Sequence, residues 1–133
     1  MAYGSIAIQE KSLKGNLTSQ DIEIAVDRLF SNEELDEHWM ISIFVENLGE
    51  NEYSASVDVE DDEFDLQINT SISDTREEQL QSLYHELQHI RQYVQGRNPF
   101  ERAHRSQEAY LNDPLEIEAR EYENYEHDHH NYL

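Results

Sequence analysis

The chain has no cysteine, only two prolines and four glycines, and nine Lys and Arg against 30 Asp and Glu in 133 residues. Each scarcity excludes something. Without cysteine there is no disulfide framework and no thiolate to complete a metal shell, which suits a cytoplasmic protein. With so few cations the net charge is −21, and such a field repels phosphates, so nucleic acid is not expected as a partner. The same field attracts cations, Zn²⁺ among them, and basic proteins or peptide segments. No apolar run approaches membrane-spanning length, and the opening Met1-Ala-Tyr-Gly-Ser-Ile-Ala-Ile-Gln-Glu-Lys11 has no apolar core of a signal segment, so neither membrane insertion nor secretion is expected. No repeat and no low-complexity linker interrupts the chain, and its length is that of one domain spanning residues 1–133.

Alternation and helical periodicity divide the chain. Ser5 to Gln9 reads as a strand and Ser19 to Phe30 as an amphipathic helix capped by Thr18 or Ser19. Trp39 to Glu46, Tyr53 to Val59 and Phe64 to Thr70 read as three further strands, with Gly49-Glu-Asn51 turn-like. A helix follows from about residue 75, with Asp74 as N-cap, Glu77 completing a capping box and Gly96 at its C-terminal end. A short helix near Glu101 to Leu111 precedes a last helix that begins cleanly at Asp113-Pro114, with Asp as N-cap and Pro at the first helical position. The expected domain is α+β, a small, mostly antiparallel sheet with helices on one face. The His-rich end, residues 126–133, reads as a flexible tail able to bind metal opportunistically.

The most informative string is His85-Glu-Leu-Gln-His89. Two histidines four apart project from one side of a helix, about 5–6 Å apart at Cβ, and reach one metal ion without strain. Leu80, Leu83, Leu87, Ile90 and Val94 form an apolar stripe on nearly the opposite side. Core histidines would sit on that stripe, and these do not. Glu86 lies about 100° round the helix from His85, where it borders the metal instead of binding it. This is the HExxH arrangement, in which the glutamate is general base for a water held by zinc. Chance alone yields such a string in roughly one chain in twenty of this composition, so its surroundings have to support it.

A catalytic zinc has three protein ligands and an open position, and here the third must be a histidine or a carboxylate. On the last helix Leu115, Ala119, Tyr122 and Tyr125 form an apolar stripe with Glu118 in its midst. A carboxylate in a packed face demands a partner or a metal, which favours Glu118 as third ligand. Glu116, on the polar side, is the alternative; it also suits a capping role at the positive end of its helix. Tyr84, His104, Tyr110 and Tyr122 are candidate donors to a developing oxyanion, with Tyr122 first because it shares the Glu118 face.

HELQH followed by Pro114-Leu-Glu-Ile-Glu-Ala119 resembles the small zincin-type metallopeptidases predicted in phage genomes, and is similar to the wider gluzincin-like group of ImmA/IrrE type. The resemblance covers roughly residues 38–125 and is specific only at the two motifs. It implies a minimal zincin-like fold with the HExxH helix central, His85, His89 and Glu118 on Zn²⁺, Glu86 as catalytic base, a peptide or protein substrate, and host-cell cytoplasm as the compartment. The gluzincin Asp four residues after the ligand Glu is missing, since position 122 is Tyr, so a carboxylate supporting one histidine must come from elsewhere. The alternative reading is an acidic binding protein, a nucleic-acid mimic or an inhibitor of a basic partner, whose zinc site is structural or vestigial.

Overall fold

A computed structural model describes residues 6–30, 39–50, 53–97, 99 and 107–130, without the side chains of Gln107, Tyr122, Glu126, His127 and His129. Its elements are β1 (Ile6–Leu13), α1 (Ser19–Phe30), β2 (Trp39–Glu46), β3 (Ala55–Glu60), β4 (Glu63–Asn69), α2 (Arg76–Val94), α3 (Gln107–Asn112) and α4 (Pro114–His129). The fold is α+β, with a four-stranded mixed sheet in the order β1-β2-β4-β3. Among the described residues no helix is long and apolar enough to cross a membrane.

The expected mostly antiparallel sheet is corrected. β1 pairs with β2 and β2 with β4 in parallel, and only the edge pair β3–β4 is antiparallel. The cause is connectivity: α1 lies between β1 and β2 in the chain, so β2 starts again in the direction of β1. A tight turn at Asp61-Asp62 folds β3 back on β4, with Asp61 at φ 54, a conformation that Asp tolerates better than most residues. β4 then inserts between β3 and β2. Alternation in sequence reports which face a side chain takes, not the direction of the neighbouring strand.

One face of the sheet is apolar. Ile41, Ile43 and Val45 of β2 and Phe64, Leu66 and Ile68 of β4 are fully buried against Ile22, Val26 and Leu29 of α1 and Leu80, Leu83, Leu87 and Ile90 of α2. Asp58, Glu60, Glu63 and Asp65 alternate onto the other face and are exposed. Trp39, Phe64 and Tyr93 stack at centroid distances of 5.3–5.8 Å, pinning the C-terminal half of α2 to the sheet. Gly15 lets the loop after β1 approach α2: a Cβ there would stand 2.5 Å from Gln79 Oε1 and 2.6 Å from Val45 Cγ1.

The cap of α2 is Thr75, one residue later than expected. Its hydroxyl accepts the Glu78 amide at 3.1 Å and donates to the Glu78 carboxylate at 3.0 Å, so the Thr75–Glu78 pair takes the place of the expected Asp74–Glu77 pair. Asp74 is held outside the helix, its carbonyl accepting from Asn16 Nδ2. Gly96, at φ +87, turns the chain out of the helix as its position suggests. α2 contacts α1, β3 and β4 and, along its other side, α4. That other side is buried but polar, with Gln88, His89 and Gln92 almost fully covered. Asp113 caps α4, its carboxylate accepting the Leu115 amide at 2.9 Å. Where a flexible tail is expected, α4 runs through His129 and His130 is buried.

Candidate metal centre

His85 and His89 leave α2 one turn apart, toward α4, with their rings 4.8 Å apart and nearly perpendicular. Glu116, in the first turn of α4, meets both. Its Oε1 lies 3.2 Å from His85 Nε2 and 3.1 Å from His89 Nε2, and its Oε2 lies 2.9 Å from His89 Nε2. These three side chains form the group among the described residues whose donor atoms converge closely enough to hold one metal ion. Donors around a tetrahedral zinc at about 2.0–2.1 Å stand about 3.3 Å apart, and the His–Glu separations are close to that value. Two imidazole nitrogens and a carboxylate are also a donor set that zinc accepts. The residues fit the ion.

The far side of each ring is engaged as well. His85 Nδ1 donates to Glu123 at 2.9 Å, and His89 Nδ1 donates to Gln92 Oε1 at 2.8 Å. Gln92 is oriented in turn, because its Nε2 donates to the Leu115 carbonyl at 2.9 Å, so its oxygen must face the histidine. With a proton held on each Nδ1, each Nε2 turns toward Glu116 and donates its own proton to that carboxylate; a metal would take the place of those Nε2 protons.

Glu118 does not join this group. It accepts Arg97 Nη1 and Nη2 at 2.8 Å each, Gln88 Nε2 at 2.6 Å and Gln92 Nε2 at 3.3 Å. A carboxylate beside an apolar stripe does need a partner, but the αL turn at Gly96 supplies Arg97 as that partner. The inward face of α4 is rotated from the expected stripe: Leu115, Glu116 and Ala119 are buried, whereas Tyr125 is exposed. Glu116 therefore stands where Glu118 was expected. Of the candidate donors, Tyr84 is fully buried against His130, Tyr110 stands at the site, and His104 and the Tyr122 side chain lie outside the described residues.

The electrostatics follow from this crowding. Burial alone would lower the His85 pKa, yet hydrogen bonds with Glu116 and Glu123 and the charge of Glu86 push it up to about 10. His89 is raised for similar reasons, by Glu116 and Glu86 against burial. Burial would raise Glu116, but the two imidazoles hold it well below the usual carboxylate range. Glu86 is raised, chiefly by burial, as a proton acceptor near neutrality should be. Tyr110 is pushed up to about 12 by burial and by Glu116, to which its hydroxyl bonds.

Two adjoining cavities of about 280 and 230 Å³ open onto the group, sharing Tyr53, Ala55, His85, Glu86 and Tyr110. The edge strand β3 forms one wall, through Ala55, Ser56 and Val57. Arg120 and Glu123 border the larger cavity, His89 and Glu116 the smaller.

Sequence reasoning missed Glu123, Gln92 and Arg120. Glu123 lies seven residues after Glu116, two turns on and nearly on the same face, so choosing Glu116 would have led to it. Gln92 is one turn beyond His89 in the same way.

Compared with family models, with curated proteins and with solved structures, the chain matches none.

Proposed function

We propose that the protein is a zinc-dependent metallopeptidase in which His85, His89 and Glu116 hold the ion and Glu86 is the general base. The observation that carries this reading is the convergence of both motif imidazoles and one carboxylate from a distant helix, with Glu86 in the wall of the adjoining cavities. Zinc, when bound in such a set, supplies Lewis acidity, lowering the pKa of water and polarising a carbonyl oxygen.

The chain's own residues supply the rest. Glu86 is buried enough to carry a raised pKa, so it accepts a proton from the attacking water and returns it to the leaving amine. Tyr110 borders both cavities and presents a hydroxyl with a high pKa, suited to donating a hydrogen bond to the oxygen that gains charge. Glu123 and Gln92 keep the imidazoles in one tautomer. Ala55 to Val57 of β3, an edge strand, give an extended peptide a wall to lie along.

The test combines metal content with turnover. Untagged full-length protein supplied with zinc should hold about one ion per chain. Glu86→Gln should keep that ion and lose peptide hydrolysis by at least about 100-fold. A chain that binds no zinc, or a Glu86→Gln variant with undiminished hydrolysis, would overturn the reading.

A second reading is favoured by the exposed sheet face. Asp58 stands directly opposite Asp65, and Glu60 opposite Glu63, on neighbouring strands. Like charges so placed destabilise a sheet, and their retention supports an acidic surface for a basic partner. Competition with DNA for a basic protein across a salt titration tests it, and loss of competition at modest salt reduces it to generic attraction.

A further inference from the structure

Arg120 borders the larger cavity together with His85, Glu86 and Tyr110. Its Nη2 donates to the Leu111 carbonyl, which anchors the guanidinium. Its Nη1 has no hydrogen-bond partner among the described residues and is covered, so a ligand reaches it only as the guanidinium turns about its bond to Leu111. Buried donors left unmade are uncommon, and they call for an explanation where they occur.

The missing partner is not for want of carboxylates. In this acidic chain Arg76 is paired with Asp21 and Arg97 with Glu118. Arg120 makes no ion pair among the described residues, although Glu116 and Glu123 lie about one turn to either side of it on α4. Those two carboxylates are already engaged by His85 and His89. Among the described residues the fold thus keeps one anchored arginine in the wall of an otherwise acidic cleft and gives it no carboxylate partner.

We infer that Arg120 receives the free C-terminal carboxylate of a peptide, so that the site takes chain ends. The position of the cleaved bond rests on the metallopeptidase reading; the ion pair at Arg120 does not.

Three points favour a carboxylate over the neutral carbonyl of an internal segment. A guanidinium meets a carboxylate through parallel, charge-assisted hydrogen bonds, about twice as strong as those to a neutral acceptor. Glu86, Glu116 and Glu123 repel a carboxylate elsewhere in the cleft, so the arginine also sets which way the peptide lies. The cavity, at about 280 Å³, is at the small end for ligand sites and suits a terminal residue or two. The net charge of −21 opposes a lone anion at long range, but that field is screened beyond about 8 Å at physiological salt, and basic residues upstream in the peptide would answer it.

The test uses zinc-loaded full-length protein carrying Glu86→Gln, so that probes persist. The probes are acetyl-Lys-Ala-Leu with a free carboxylate and the same peptide as its C-terminal amide, titrated calorimetrically at about 0.15 M salt. The acid should bind at least tenfold tighter than the amide. Adding Arg120→Met should bring the acid to the affinity of the amide and leave the amide within twofold; Arg120→Lys should keep part of the difference. Equal affinity for acid and amide, no binding of either, or an acid preference that survives Arg120→Met would overturn the inference. An equal loss of both probes in Arg120→Met would mean that the arginine holds a backbone carbonyl, and would overturn it too. If Arg120→Met fails to fold, the acid-to-amide ratio of the protein that retains Arg120 still decides. Acid-selective binding with no hydrolysis by unmodified protein would keep this inference and sink the peptidase reading. Glu86-dependent cleavage of internal bonds without acid selectivity would do the reverse.

Discussion

His85 Nδ1 donates a hydrogen bond to the Glu123 carboxylate at 2.9 Å, across the gap between α2 and α4. The bond keeps a proton on Nδ1 and turns Nε2 toward Glu116, so that Nε2 is the nitrogen a metal would meet. Support of this kind raises ligand basicity, and its loss typically weakens a metal site by about 10–100-fold. Glu123→Gln keeps an acceptor oxygen but removes the charge, so its zinc affinity should fall by about tenfold, and that of Glu123→Ala by about 100-fold. Competition with a chromophoric chelator measures both. Unchanged affinity in Glu123→Ala would remove Glu123 from the site.

The two glutamates of the Pro114 segment should separate cleanly. Glu116→Gln removes the carboxylate that, among the described residues, bonds both imidazoles, and zinc affinity should drop by more than about 100-fold, beyond the loss from a supporting residue. Glu118→Gln breaks a half-exposed pair with Arg97, worth about 0.2–1 kcal/mol in stability. Its effect on zinc should stay within about tenfold, transmitted through Gln92, which touches both Glu118 and His89. Thermal melts with and without zinc separate the two effects, because only a variant that still binds the ion gains stability from it.

The contrast between those residues marks how far the sequence could be read. The bounds of α1 and β2 and the start of α4 were legible because caps and alternation are local signals. The apolar stripe of α2 was legible too, and it placed the motif histidines on the side away from the sheet. Strand direction was not, since β3 and β4 carry the same alternation whichever neighbour they take. The third site residue turned on the rotation of α4 by less than a quarter turn. That rotation is set by packing on α2 and by the Arg97–Glu118 pair, which depends on a turn at Gly96 far away in sequence.

Acid should unfold the protein in two stages, through a cluster remote from the metal group. Burial would raise Asp21, but Arg76 at 2.7 Å, the Thr18 amide and His130 hold it down to about 2. A folded pKa below the usual 3.8 gives stability that is present above about pH 4 and lost as pH falls through 2, in all about 2 kcal/mol. His130 is faced by Asp21 and Arg28 of α1 and by Arg76 and Tyr84 of α2, and burial lowers its pKa from 6.5. The folded state therefore disfavours its charged form, and stability begins to fall as pH drops below about 6.5. Asp21→Asn should lessen the lower stage without abolishing it, because Glu116 is also held down, while keeping most of the upper one, as read from urea midpoints at pH 7, 5 and 3. An unchanged slope below pH 4 would contradict this account.

His130 also changes how zinc binding must be measured. Its ring bridges the Tyr84 hydroxyl and Asp21, locking the end of α4 to both α1 and the motif helix one residue before His85. Replacing it with Ala removes one hydrogen bond from the buried Tyr84 hydroxyl and one from Asp21, and should cost about 1–3 kcal/mol. Cutting the chain after Tyr125, the obvious way to remove a histidine-rich end, should therefore destabilise the fold and blur the site it is meant to isolate. His127→Ala with His129→Ala is the sounder control, because it removes two histidines and leaves the bridge. That double variant should keep a cooperative melt and retain about one zinc. If its zinc disappears instead, the ion belongs to the end of α4, and the group around Glu116 is held by protons alone.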